Sequence, residues 1–147
     1  MNNKLTYIAV VMVALVLASC SMETSHNGAL DGYWKLTTID TLATGGINNL
    51  KEASIFWSVQ KDLLTVRDNN DPTNREYVFR FQHTDSTLVL SEGQRYDRAN
   101  GNVAVEDPSL LSPYGINRQP ETFTFEHLTH RVMTLQTDEL RLSFKKF

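Results

Sequence analysis

The stretch E-H-L-T-H, residues 126–130, sets one carboxylate and two imidazoles close together, a combination that could ligate a metal ion. Zinc hydrolases carry H-E-x-x-H on a helix, where residues four apart share a face. Here the spacing is H-x-x-H, and the flanking residues alternate as strands do, which places His127 and His130 at a hairpin turn near His83. Because no third ligand is assured, we interpret this group as a solvated turn, with a metal held across it as the alternative.

Acidic residues lie close together in two predicted loops, Glu106 with Asp107 and Asp68 near Asp71. General acid catalysis needs an apolar setting that raises a carboxyl pKa, and these polar loops offer none. The serines lack the G-x-S-x-G pattern of a nucleophile elbow, and Gly45-Gly46 lacks phosphate-loop spacing. We predict no catalytic residue, no cofactor and no resident metal; metal-dependent hydrolysis is the enzymatic alternative.

Cys20 is the only cysteine and follows a charged start, an uncharged run over residues 5–17 and the small residues Ala18 and Ser19. That order is typical of an export signal. As a helix the run would reach about 20 Å, too short for a hydrocarbon core of about 30 Å. L-A-S-C resembles the lipobox of bacterial lipoproteins, which implies that Cys20 is acylated and becomes the first mature residue. Several acyl chains at about 0.8 kcal/mol per buried CH₂ would anchor it, and redox or catalytic use of its thiol is then excluded.

These features divide the chain into a signal peptide at residues 1–19, a lipidated tether at 20–29 and one domain at 30–147. Cleavage leaves 128 residues, enough for one core. Only Lys4 is lost from the 14 lysines and arginines, so the 17 acidic residues leave a mature net charge of −4. Such a chain, without a basic run, predicts no nucleic-acid partner. We expect it in the bacterial cell envelope, and Ser21 after the cysteine favours the outer membrane by resemblance to lipoprotein sorting rules.

Alternation with period two dominates the chain from Gly32 onward. In R-E-Y-V-F-R-F-Q, for example, Tyr77, Phe79 and Phe81 share one face. The pattern predicts half-buried antiparallel strands. Eight runs carry it, at residues 33–40, 54–60, 62–68, 75–83, 86–92, 122–128, 131–137 and 139–146.

Tight and long links alternate between these runs, the longest at residues 93–121. If consecutive strands pair, the three long links share one end, where only the turn at Asp138 is short, and the three tight links share the other end. We therefore predict an all-β, eight-stranded antiparallel up-and-down barrel with a closed end, an open end and an irregular long loop between strands five and six. Eight closed strands leave no free edge and enclose either packed side chains or one small ligand. An open sandwich is the alternative.

The stretch G-Y-W-K-L, from Gly32 to Leu36, resembles the G-x-W that opens the first strand of lipocalins and fatty-acid-binding proteins. The resemblance implies that Trp34 plugs the barrel floor and that a basic residue from the last strand lies across its ring. Lys146 holds that position, where lipocalins carry arginine, and a cation–π contact there could contribute about 0.5–2 kcal/mol. Lacking the added helices of larger relatives, the chain is most similar to short lipocalin-like domains of Gram-negative lipoproteins.

The resemblance and the strand order together imply an apolar barrel interior that opens toward the long loop. The loop itself adds apolar groups that cover the mouth or bind a partner: Tyr96, Leu110, Leu111, Tyr114 and Ile116. For each interior residue, plain core is the alternative interpretation. The predicted ligand-contacting residues are Trp57, Val66, Tyr77, Phe79, Leu90, Tyr114, Phe123, Leu135 and Leu140.

Our leading hypothesis is a membrane-anchored, lipocalin-like lipoprotein that binds a small hydrophobic or amphipathic molecule non-covalently. The alternative is a barrel packed solidly by its large side chains, which acts as an interaction module: an envelope scaffold, an inhibitor or a subunit of an uptake complex. The volume left inside the barrel distinguishes the two.

Overall fold

The computed structural model describes residue 3 and residues 25–147. The predicted signal-peptide cleavage site, Cys20 and the first part of the tether therefore lie outside the described residues. Among the residues that are described, no helix is both long and apolar enough to cross a bilayer.

Ten β-strands run through residues 25–147, and eight of them close into a barrel. The barrel order is β1-β3-β4-β5-β6-β8-β9-β10, and β10 pairs again with β1, all antiparallel. This confirms the predicted all-β, up-and-down fold of eight strands. The strands are β1 Gly32–Thr41, β2 Gly46–Asn49, β3 Ile55–Gln60, β4 Leu63–Asp68, β5 Glu76–His83, β6 Thr87–Arg95, β7 Val103–Ala104, β8 Glu121–Leu128, β9 Val132–Gln136 and β10 Leu140–Lys146.

The two additional strands, β2 and β7, lie where the sequence suggested only loops or a short helix. β3 pairs with β1 only as far as Lys35, and β2 takes over the same edge of β1 from Thr38. In the same way β8 leaves β6 after Leu90, and β7 pairs with Gln94 and Arg95. Both strands satisfy backbone groups that the diverging neighbour would leave unpaired.

Short turns and long links are segregated to opposite ends of the barrel, as predicted. Residues 61–62, 84–86 and 129–131 form the turns of what we call the closed end. Residues 42–54, 69–75, 96–120 and 137–139 form the links of the open end, which include β2 and β7. Any site that needs loops is therefore positioned at the open end.

The core fills the barrel along its axis, because alternate residues of each strand point inward. Trp34, Trp57, Phe79 and Phe123 are its largest fully buried side chains. The chain between β7 and β8, residues 105–120, contributes to the same core through Leu111, Tyr114 and Ile116. We call residues 105–120 the mouth segment; it lies across the open end instead of extending into solvent.

Candidate functional site

The closed end is sealed by Trp34 and Lys146. The ammonium of Lys146 lies 4.5 Å from the centroid of the Trp34 ring. The same Nζ donates hydrogen bonds to the carbonyl oxygens of Ala29, at 3.0 Å, and Asp31, at 2.7 Å. Trp34 Nε1 donates to the carbonyl oxygen of Leu30 at 2.8 Å. Because Trp34 is fully buried, its ring closes the floor of the barrel, and the contacts with Leu30, Ala29 and Asp31 hold the chain start against this end.

Gly32 makes room for this arrangement. Its φ is +129°, and a Cβ on it would lie 3.2 Å from Cε of Lys146. A side chain here would be strained and would crowd the lysine. The glycine of the G-x-W stretch thus lets Lys146 lie across Trp34.

The predicted ligand-contacting residues converge in the barrel interior, eight of them buried and Leu140 at the edge of the core. Much of that interior is occupied by side chains. The Trp57 ring packs edge-on against Phe123, at 5.7 Å between centroids, and Phe144, at 4.9 Å. Packing against one another is thus enough to explain why these residues are buried and apolar, and their contact with a ligand stays a prediction. Tyr77 and Tyr114 differ, since they also line a cleft.

Two contacts hold the mouth segment in the barrel opening. Trp57 Nε1 donates a hydrogen bond to the carbonyl oxygen of Tyr114 at 3.2 Å. Gly115 follows with φ +82°, and a Cβ there would overlap Cδ2 of Leu142. Only glycine combines this backbone conformation with such close packing.

Both ends of the mouth segment are tied down by polar side chains. Gln119 Oε1 accepts from Gly93 N at 2.7 Å, and its Nε2 donates to the Val105 carbonyl oxygen at 3.2 Å. The buried Glu121 carboxylate accepts from the backbone N–H groups of Asn117, at 3.0 Å, and Arg118, at 3.1 Å. These bonds replace the water that the backbone loses on burial.

A cleft of about 420 Å³, which we call the rim cleft, opens between the β4–β5 link and the mouth segment. A second cleft of about 400 Å³ shares Arg75, Tyr77 and Leu110 with it and continues along β7. The rings of Tyr77 and Tyr114 meet edge to face, with centroids 5.7 Å apart. These volumes fall in the range of small-molecule sites. The rim cleft is lined by Asp68, Asn70, Asp71, Pro72, Arg75, Tyr77, Leu110, Pro113 and Tyr114.

The pKa shifts in the rim cleft keep Asp71, Arg75 and Tyr114 in one protonation state each at neutral pH. Hydrogen bonds from the Thr73 hydroxyl and backbone N–H, with Arg75 nearby, lower the pKa of Asp71 to about 2. The hydrogen bond and charge of Asp71 raise the pKa of Arg75 in turn. Burial raises the pKa of Tyr114 to about 12. All three shifts move away from neutral pH, so these groups are unsuited to general acid–base work.

Replacing Thr73 by alanine should raise the pKa of Asp71 from about 2 toward the ordinary value of 3.8, because the largest stabiliser of the carboxylate is lost. A lowered carboxyl pKa contributes stability above the unfolded-state pKa, and that contribution is lost as the pH falls from about 4 to 2. The variant should therefore show a smaller loss of stability over this interval. Carbon-13 NMR titration of the Asp71 carboxyl checks the shift, and an unchanged pKa would contradict it.

The candidate metal group is dispersed. His127, on β8, and His130, in the following turn, are exposed, and His83 ends β5. The carboxylate of Glu126 is instead bound by Arg141, with Oε2 2.6 Å from Nε, which lowers the pKa of Glu126. Within the described residues, no group of three His, Cys, Asp or Glu is placed to hold a metal ion.

The acidic pairs do not form a catalytic centre either. Glu106 and Asp107 are exposed, and hydrogen bonds from the hydroxyl and the backbone N–H of Ser109 lower the pKa of Asp107. Asp68 and Asp71 line the rim cleft, and the hydrogen bonds from Thr73 that lower the pKa of Asp71 keep that carboxyl ionised at neutral pH. The prediction of no catalytic residue stays a prediction.

Arg75, Arg95 and Pro113 line the two clefts, but no sequence pattern predicted them as site residues. The stretch D-P-T-N-R carried one usable signal, since Asp71 accepts from Thr73 N as in an Asx turn and pairs with Arg75 at 3.1 Å. That signal predicts an ordered loop. Its position beside the mouth segment depends on contacts between distant parts of the chain.

Comparisons with known proteins agree with this geometry. A family model for a lipocalin-like domain matches residues 15–147. The crystal structure of a lipocalin-like protein from Bacteroides uniformis ATCC 8492 has a TM-score of 0.63 at 19% identity and covers 82% of this chain and 100% of its own. That of an uncharacterized protein from Bacteroides eggerthii DSM 20697 has a TM-score of 0.59 at 17% identity and covers 80% and 98%. No curated protein matches the chain significantly.

Proposed function

The chain belongs to the lipocalin-like domain family, and on that basis we propose that it is a binding protein for a small amphipathic molecule held at the open end of the barrel. Lipocalin-like proteins are generally non-enzymatic, and we assign no reaction to this one. The observation that carries the proposal is the rim cleft, where two of the predicted ligand-contacting residues, Tyr77 and Tyr114, lie side by side.

The lining of the rim cleft suits a molecule with one apolar and one polar part. Leu110, Pro113 and the two tyrosine rings offer apolar surface, and Leu110 is 44% exposed although it is a large hydrophobic side chain. Arg75, held in place by Asp71, offers a guanidinium for a polar or anionic group. A ligand there would cover Leu110 and stack against the rings.

Membrane anchoring is the second part of the proposal. Acylation of Cys20 would hold the domain in the cell envelope, and Ser21 favours the outer membrane. The proposed binding requires no cofactor. The lipobox-like L-A-S-C supports this placement. The domain would then bind its ligand in an aqueous compartment next to a membrane.

A packed interaction module remains the second candidate, and the filled interior favours it. The rings of Trp57, Phe123 and Phe144 fill the interior along the barrel axis, and the mouth segment covers it at the open end. In this function an envelope protein, and no small molecule, would bind the open end.

Replacing Leu110 by glutamine should weaken binding of a fluorescent fatty-acid probe. We expect the mature protein to bind the probe with a micromolar or lower Kd. Loss of the apolar contact of one leucine should raise Kd about fivefold or more. Leu63→Gln is the matched control, because Leu63 is 40% exposed but lies beside the closed end. Fluorescence titration measures both variants.

Two results would decide against the ligand-binding proposal. One is no binding by the unmodified protein across fatty acids, retinoids and haem. The other is an equal effect of Leu110→Gln and Leu63→Gln, which would place the probe outside the rim cleft. A protein that co-purifies with the domain and depends on Leu110 would support the interaction module instead.

A further inference from the structure

We propose that the closed end of the barrel faces the membrane and that the rim cleft opens away from it, an inference that rests on the proposed acylation of Cys20. The partner surface is a bilayer of phospholipids, and the side turned toward it is the floor formed by Trp34, Lys146 and the three short turns. Four features support this orientation: the place where the chain joins the domain, the reach of the anchor, the charges at the two ends and an exposed aromatic side chain.

The first feature is the place where the chain joins the domain. Asn27 Nδ2 donates a hydrogen bond to the carbonyl oxygen of Lys61, in the β3–β4 turn, at 2.6 Å. Asn27 Oδ1 lies 3.2 Å from Nε2 of His83, at the closed end of β5. Lys146 holds the carbonyl oxygen of Ala29 at 3.0 Å. These contacts fasten the start of the domain to the closed end.

The second feature is reach. The five Cα–Cα steps from Cys20 to Ser25 span at most about 18 Å in any conformation. Strand β6 alone runs about 26 Å from Thr87, at the closed end, to Arg95, at the open end. A strand tilt of about 40° still leaves a barrel wall of about 20 Å, and the links of the open end extend beyond it. An acylated Cys20 therefore keeps the closed end beside the bilayer.

The third feature is the difference in surface between the two ends. The open-end links carry seven acidic residues, Glu52, Asp71, Asp97, Glu106, Asp107, Asp138 and Glu139, against four basic ones, Lys51, Arg75, Arg98 and Arg118. At the closed end three acids, Asp31, Asp62 and Asp85, are balanced by Lys61, Arg131 and Lys146. An anionic bilayer repels the first surface and tolerates the second.

An exposed aromatic group lies beside the closed end as well. Phe147 N donates to the carbonyl oxygen of Tyr33 at 2.8 Å, next to the start of β1. Phe147 as a whole residue is 82% exposed, and its ring packs edge-on against Phe56, at 5.3 Å between centroids. Aromatic side chains are favoured at the interface between membrane and water. In this orientation the rim cleft exchanges its ligand with the aqueous compartment and not with the bilayer that holds the anchor.

The test uses the full lipidated protein in vesicles of phosphatidylethanolamine and phosphatidylglycerol. A fluorophore is attached to Asp85→Cys, in a closed-end turn, or to Arg98→Cys, in an open-end link; both positions are exposed. Acylated Cys20 has no free thiol to label. A lipid that carries a headgroup quencher should quench the Asp85→Cys label about twofold or more strongly than the Arg98→Cys label, because the two ends lie at different heights.

The outcomes separate the orientation from the anchor. Equal or reversed quenching on vesicles that carry the protein overturns the orientation alone. Failure of the protein to float with the vesicles overturns acylation and the orientation with it. Inserting about twelve Gly-Ser residues between Thr24 and Ser25 should bring the quenching ratio toward one, since the longer linker no longer limits reach. An unchanged ratio would contradict the reach argument.

Discussion

Replacing Trp34 by alanine is expected to lower the free energy of unfolding by about 3–5 kcal/mol, the usual cost of removing a large buried aromatic side chain. Trp34 is fully buried, and its loss also leaves the Leu30 carbonyl oxygen without the donor that now lies 2.8 Å away. The Lys146 ammonium would lose the ring under it, at 4.5 Å. Urea unfolding followed by fluorescence of the remaining tryptophan, Trp57, measures the change.

Two controls make the Trp34 result specific. Ile47→Ala removes a side chain that is 71% exposed and should change stability by less than about 0.5 kcal/mol. The folded fraction of Trp34→Ala should bind the fatty-acid probe with a nearly unchanged Kd, because the floor and the rim cleft lie at opposite ends. A loss of affinity in protein that is still folded would place a ligand at the floor.

Replacing Gly115 by alanine should destabilise the domain by about 2–5 kcal/mol and loosen the mouth segment. The left-handed backbone, with φ +82°, costs an alanine about 1–2 kcal/mol. The new Cβ would also overlap Cδ2 of Leu142, and such overpacking costs about 1–3 kcal/mol. Urea unfolding gives the total, and faster hydrogen exchange at Ile116 N would locate the change in the mouth segment.

Gly101→Ala is the matched control for Gly115→Ala. Gly101 has nearly the same φ, +86°, but no atom lies within 4 Å of the Cβ that would be added. It should show the conformational cost of about 1–2 kcal/mol alone. Equal effects of the two substitutions would mean that Gly115 is not packed against Leu142.

A double substitution tests the contact directly. Leu142→Ala by itself should cost about 2–5 kcal/mol, because Leu142 is fully buried. It also removes the methyl group that the Cβ of Gly115→Ala would strike. The double variant should therefore lose less stability than the two single variants together, by about 0.5–3 kcal/mol. Strict additivity would contradict the proposed packing.

Much of the fold was readable from local patterns. Period-two alternation, as in Tyr77, Phe79 and Phe81, reports which face of a strand is buried, and the structure buries all three side chains. Alternating link lengths implied which ends of the strands meet, and the G-Y-W-K-L stretch implied where Trp34 lies. These features are encoded within a few residues of each other, so a sequence displays them directly.

The remaining features depended on parts of the chain that are far apart in sequence. β2 and β7 are too short to show a period, and they form because β1 and β6 leave edges open. The mouth segment looked irregular, yet Leu111, Tyr114 and Ile116 are buried because the barrel opening offers them an apolar surface. No local pattern could reveal that Gly115 must pass close to Leu142, 27 residues further along.

By itself, the sequence determined an all-β barrel with a closed and an open end, and a family resemblance centred on Gly32 and Trp34. Only the tertiary structure decided which apolar residues fill the core and which line a cleft. Tyr77 and Leu135 follow the same alternation, but the mouth segment and the β4–β5 link leave a cleft beside Tyr77, whereas Leu135 is fully buried in the core. Burial against distant segments, and not residue type, makes that distinction, because a strand pattern reports the direction of a side chain and not what it meets there.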